Sequence, residues 1–150
     1  LYLKATANTS VPSGGIIPVA FSNTPLYNSG DFVFNGATGV ITVNTAGTYI
    51  ATLQTSWTSI TANQQLTGGI TDVSTGKWIG RGTHYPAATS TSTTIGELLT
   101  ITSPVTITAD QQVRFAVATI AASTSTILAV ETGGSGTGIV TTALLQRISN

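Results

Sequence analysis

The side chains able to do acid–base or metal chemistry are few, and their types narrow what the chain can be. His84 is the only histidine and there is no cysteine, so His84 alone could serve as a base near neutral pH. Serine is abundant, and Asp31, Asp72 and Asp110 could orient an imidazole, so composition allows a Ser-His-Asp relay. No serine stands in a Gly-x-Ser-x-Gly elbow, the sharp turn that exposes a nucleophile. His84 reads as a loop residue beside Tyr85-Pro86. With one aspartate it is short of a zinc ligand set. Calcium could draw on Asp31, Asp72 or Asp110 with backbone carbonyls, but no dense acidic loop is present. Asp72 and Asp110 read as turn residues, whose carboxylates bond the local backbone. The expectation is a protein that is not an enzyme, with no catalytic residue, no metal and no cofactor.

One cluster suits recognition. Lys77-Trp78-Ile79-Gly80-Arg81-Gly82-Thr83-His84-Tyr85 gathers two of the five cations, one of the two tryptophans and the only histidine. Trp, Tyr and Arg dominate binding hot spots, and flat apolar faces beside directed donors suit sugar or protein contact. Lys77, Trp78, Arg81, His84 and Tyr85 are therefore candidate ligand- or receptor-binding residues. The other reading has Trp78 packing the edge of the core while Lys77 and Arg81 solubilise the rim.

These residues must be carried by a scaffold poor in ions. Charged residues make up 7% of the 150 residues and the net charge is zero, against roughly a quarter charged in ordinary soluble domains. Five scattered Lys and Arg make no basic patch for nucleic acid or an anionic membrane, and no apolar run is long enough to insert in a bilayer as a helix. A surface built from Thr, Ser, Asn and Gln offers little charge repulsion, which favours a defined oligomer. The length fits one domain, residues 1–150. The chain begins at Leu1 without a Met, so a fragment of something longer is expected.

Alternation with period two, broken by Gly, Asn and Pro, runs the length of the chain and predicts about ten short antiparallel strands. They fall at Ile16 to Ser22, Phe32 to Phe34, Val40 to Val43, Tyr49 to Trp57, Leu66 to Val73, Trp78 to Thr83, Thr94 to Thr102 with Val105 to Thr108, Val113 to Ile120, Thr126 to Glu131 and Ile139 to Ile148. Ala87 to Thr94 and Thr132 to Gly138 read as loops. Tyr49, Ala51, Leu53, Thr55 and Trp57 share a core face, as do Val113, Phe115 and Val117. The opposite side of the latter strand, Arg114, Ala116, Ala118 and Ile120, is small and mostly apolar, and the last strand is apolar on both sides. Such strands are buried on both faces, here against another subunit or a covering segment.

The run Phe34-Asn35-Gly36-Ala37-Thr38-Gly39-Val40-Ile41-Thr42-Val43-Asn44-Thr45-Ala46-Gly47-Thr48-Tyr49 resembles the signature of the C1q/TNF-like jelly roll. Val19-Ala20-Phe21-Ser22 resembles that family's first strand, Thr108-Ala109-Asp110-Gln111-Gln112-Val113 its turn into a late strand, and Ala143-Leu144-Leu145 its closing strand. Ile41 stands where animal members carry an aromatic and Ala51 where they carry Phe. This relaxed form is similar to the bacterial and phage members, such as the heads of collagen-like exosporium (BclA-type) glycoproteins and the knobs of phage fibres. The resemblance implies an all-β, ten-stranded antiparallel jelly-roll sandwich assembling as a homotrimer. It sets Ile16 to Ser22, Leu66 to Val73, Val113 to Ile120 and Ile139 to Ile148 in the sheet at the three-fold axis, with Phe21, Ala116, Ala118, Ile120, Ala143 and Leu145 at the trimer interface. It further implies a structural, adhesive head on a bacterial or spore surface, or alternatively a receptor-binding phage or virus knob. The partners would be other copies of the chain and a host receptor, glycan or surface protein.

Overall fold

The computed structural model describes residues 1–121, 123–133 and 136–149. The strands in chain order are β1 (Tyr2–Lys4), β2 (Thr9–Val11), β3 (Ile16–Pro18), β4 (Phe32–Asn35), β5 (Val40–Val43), β6 (Gly47–Thr58), β7 (Gln65–Asp72), β8 (Trp78–His84), β9 (Glu97–Ile107), β10 (Gln111–Ile120), β11 (Ser125–Leu128), β12 (Val130–Gly133), β13 (Gly136–Ile139) and β14 (Thr142–Ser149). All pairings between these strands are antiparallel, and the described residues contain no helix.

Two sheets face each other. In the first, β6 is flanked by β14 and then β1 on one side and by β9 on the other, while β11 and β2 continue the sheet at the far end of β6. The second runs β4-β5-β10-β7-β8, with β3 beside β10 beyond the end of β5. The signature run supplies the passage between them. Asn35 ends β4, its Oδ1 accepting from the Ala37 and Thr38 amides at 3.1 and 3.3 Å, and Gly39 takes the left-handed φ of +70° that closes the hairpin onto β5. The chain then crosses to β6, where Tyr49 is fully buried and its hydroxyl donates to the Thr45 carbonyl at 2.5 Å.

Alternation fills the space between the sheets. β6 sends Tyr49, Ala51, Leu53, Thr55 and Trp57 inward, and β10 answers with Val113, Phe115 and Val117, all buried. Phe32 meets Tyr49 edge-on at 5.9 Å between ring centroids, and Phe21 meets Phe115 at 6.2 Å. The sandwich closes where β8 lies over β9. A Cβ placed on Gly80 would fall 2.6 Å from Val105 Cγ1 and 2.7 Å from Ser103 Oγ, so glycine is what permits that approach.

Several expectations need correction. Ile139 to Ile148 is not one strand: β13 ends at Ile139 and β14 begins at Thr142. Nor does β14 join the sheet of β3, β7 and β10. It lies between β1 and β6 in the first sheet, where Ala143 and Leu145 stand opposite Leu53 and Ala51. Thr126 to Glu131 likewise divides between β11 and β12, which belong to different sheets. Thr132 to Gly138 is a two-stranded ribbon of β12 and β13 rather than a loop, with Gly134 and Ser135 outside the described residues. Thr94 to Thr102 and Val105 to Thr108 form the single strand β9, which begins at Glu97 and passes through Pro104. Proline is tolerated there because β9 pairs only with β6 and needs no donor on its free side. Ile16 to Ser22 shrinks to β3, with Phe21 held by an isolated bridge to Ala5. β1 and β2 were not expected.

Candidate functional site

The five residues of the recognition cluster do not form one site. Lys77 precedes β8 and Tyr85 follows it, so at about 3.3 Å per residue they stand roughly 25 Å apart. His84 lies opposite Leu66, on the core-facing side, where its Nε2 is 3.1 Å from Glu97 Oε1 with both side chains partly exposed. Among the described residues this is the only hydrogen bond of the His84 ring. Trp78 and Arg81 are the pair brought together. Residues three apart on a regular strand face opposite ways, but the register shifts between Ile70 and Thr71, so Trp78 lies opposite Thr71 and Arg81 opposite Gly69. Both therefore share the outer face of the second sheet.

That face is a trough. Its floor is small, with Ala118 between Thr67 and Ile16, and Ala116 between Gly69 and Pro18. Trp78 and Arg81 rise on one side and Ile16 on the other, and Ile120 and Gln65 stand opposite each other at the end; the trough is open to solvent, with a volume of about 190 Å³. Ala118 and Ile120 thus keep accessible surface, Ile120 at 66%. The other residues expected at a trimer interface do not. Phe21, Ala116, Ala143 and Leu145 are all buried within the single chain. For Ala143 and Leu145 the reason is parity: they point into the sandwich, and Leu144 and Gln146 point out.

The outer face of the first sheet differs. Its rows run Tyr2–Leu144–Thr52–Thr102 and Gln146–Ile50–Pro104, without a charged side chain. Tyr2 is exposed, while Ile50 and Leu144 are half-buried. Lys4 stands at one corner beside Thr142, and at the far end Glu131 is held by Ser56 Oγ at 2.5 Å and the Gly96 amide at 3.0 Å.

The aspartates serve turns. Asp72 ends β7, and its Oδ1 accepts from Ser74 Oγ at 2.6 Å and from the Thr75 amide and hydroxyl at 2.8 and 3.1 Å. Its Oδ2 accepts from Gln111 Nε2 at 2.8 Å, tying the β7–β8 turn to β10. Asp31 accepts from Ser29 Oγ at 2.7 Å, and Asp110 occupies the left-handed region at φ 61°. No group of three or more His, Asp or Glu gathers as metal ligands among the described residues. The bonds from Ser74, Gln111 and Thr75 hold the Asp72 carboxyl well below its ordinary value of 3.8. A depressed carboxyl stabilises the fold fully above that value and loses the contribution as pH falls below it. Asp72→Ala is expected to cost about 1–3 kcal/mol in urea unfolding at pH 7. The variant should also lose less further stability than the parent between pH 4 and pH 2; an equal acid loss in both would refute the assignment.

No protein-family model and no curated protein matches the chain. Among solved structures it is similar to Eiger TNF from S. frugiperda, at a TM-score of 0.58 and 13% identity over 99% of this chain and 91% of that one. It is also similar to murine APRIL, in crystals at pH 5.0 and at pH 8.5, each at a TM-score of 0.59 and 8% identity over 99% of this chain and 97% of that one. At such identities the likeness is one of fold, and the fold of this chain is the TNF-like jelly roll.

Proposed function

We propose that the chain is a homotrimerising, surface-exposed head domain, structural and adhesive rather than catalytic. The observation that carries this reading is the uncharged outer face of the first sheet. Tyr2, Ile50 and Leu144 stand there among threonines and glutamines, with ions only at its margins. Burying such a face against other copies costs no charge desolvation and removes apolar area from water. A sheet that packs its inner face on the core needs no apolar residues outside unless something covers them. The axis therefore falls on the sheet of β1, β14, β6 and β9, and the trough of the second sheet looks outward.

The setting that the relaxed signature run supports is the tip of a bacterial collagen-like filament, on the cell surface or the spore exosporium. Residues 1–150 would form a single C-terminal head there. Among the described residues no helix is long and apolar enough to cross a membrane. A Gly-X-Y tract preceding this sequence in the gene supports that setting, whereas a fibre-shaft segment would move the head to a phage or virus knob. The assembly is tested by native mass spectrometry at micromolar concentration. The expected species is three copies of 15.3 kDa, about 46 kDa; a folded 15.3 kDa monomer would overturn it.

A further inference from the structure

We propose that the trough on the second sheet is a subsite for a sugar ring that carries a carboxylate. The inference deepens the adhesive reading above and does not depend on the trimer.

Three observations support it. The first is charge. Arg81 is exposed and makes no ion pair among the described residues, and none of the residues lining the trough is acidic. In a chain of zero net charge this face is locally cationic, and an Arg fork matches a carboxylate with two parallel donors. The second is shape. At about 190 Å³ the trough falls below the roughly 300 Å³ at which pockets begin to hold drug-sized ligands. It takes one ring, while a peptide segment would need a longer groove. The third is the lining. Trp78 offers an apolar aromatic wall that can cover the C–H face of a pyranose, with Ile16 opposite and Ile120 at the end. The Gln65 amide supplies a donor and an acceptor that ring hydroxyls need once water leaves, while the Thr67 hydroxyl is buried and already bonded to Thr83 Oγ1 at 3.2 Å. Small residues beneath, Ala118 above all, keep the floor low enough for a ring to enter.

The chemistry is built by the irregularity in β8. Without the register shift, Trp78 would point into the sandwich and Arg81 alone would face out. The shift places an aromatic wall and a guanidinium on the same side, so that one ring could stack on the first while its carboxylate meets the second.

The protein carries its own reporter. Trp57 is fully buried, so Trp78 is the only tryptophan that a solute can reach. D-glucuronate should shift the Trp78 indole N–H resonance and leave that of Trp57 in place, and saturation transfer should mark the sugar ring protons. D-glucose, which lacks the carboxylate, should bind about tenfold more weakly. Arg81→Gln should remove that difference, Arg81→Lys should restore part of it, and Trp78→Ala should abolish saturation transfer to either sugar. The variants' folding is read from the upfield methyl resonances of the core. Absence of binding at tens of millimolar glucuronate overturns the proposal. So does equal binding of glucose and glucuronate, or equal binding of acetate and glucuronate, the latter marking a simple anion site. An intact trimer that fails these titrations retires the subsite and leaves the assembly standing.

Discussion

Ile50→Glu should convert the assembly to folded monomers of 15.3 kDa. Ile50 sits in the middle of the first sheet's outer face, between Gln146 and Pro104, and is half-buried in the single chain. A glutamate there remains solvated in an isolated subunit, and its cost to the strand is a fraction of the ~1 kcal/mol span of β-propensities. Closing three copies around the axis would bury three carboxylates with no cation in the row to pair with. Each costs several kcal/mol to desolvate, or must take up a proton. The loss across a trimer therefore exceeds what an interface of ordinary size supplies, and sedimentation at micromolar protein should show one light species with an unchanged β circular dichroism spectrum. Ile120→Glu is the matched control. Ile120 is 66% exposed on the second sheet, so this change should leave the trimer intact. The reverse result, with Ile120→Glu dissociating the assembly and Ile50→Glu sparing it, would place the axis on the second sheet.

That control bears on what the residues alone could reveal. Val40–Val43 is found at its sequence-predicted bounds because four β-branched residues lie between two turn signals, and no tertiary contact needs to override them. The inward set of β6 follows from strict alternation in the same way. Alternation says which side chains share a face, but not which sheet the strand enters. The resemblance placed the last strand beside β7 and β10, whereas partner choice put β14 between β1 and β6, where Ala143 and Leu145 meet Ala51 and Leu53. β1 and β2 have three residues each, too few for a period to declare itself. Ala116 looked like surface awaiting a partner, but its small side chain lies between Gly69 and Pro18 and is covered within one chain.

The candidate site shows the same limit more sharply. Composition drew attention to Lys77 through Tyr85, and period two would have separated Trp78 from Arg81. A single register shift unites them, and no residue type in Trp78-Ile79-Gly80-Arg81 announces it except Gly80, which the sequence alone could equally assign to close packing. The same strand directs His84 to the other side, toward Glu97, so the one potential base is removed from the trough by strand geometry. Chemistry read from neighbours in sequence is reliable only as far as the strand stays regular.

Trp57→Ala should be the most damaging single change to the fold. The side chain is fully buried on the core face of β6, opposite Ile127 of β11 and Glu97 of β9. Its indole Nε1 donates to Thr55 Oγ1 at 2.9 Å, and that hydroxyl in turn donates to the Leu99 carbonyl at 3.4 Å. Truncation removes the largest buried side chain of the molecule where backbone on both sides is pinned by sheet pairing, so the void can collapse only in part. The expected cost is about 3–5 kcal/mol, a third or more of the stability of a typical domain, and a fall in Tm of about 10 °C at this chain length. Trp57→Phe separates the contributions. It keeps most of the ring volume and loses the indole donor, while Thr55 retains its bond to Leu99, so the cost should be less than half that of alanine. Circular dichroism melts at several protein concentrations provide the measurement. If the native state is the trimer, midpoints rise with concentration for the parent and for both variants, and the spacing between the curves is the core contribution alone. Equal melting of Trp57→Ala and the parent would mean that the two sheets do not pack around this residue as described.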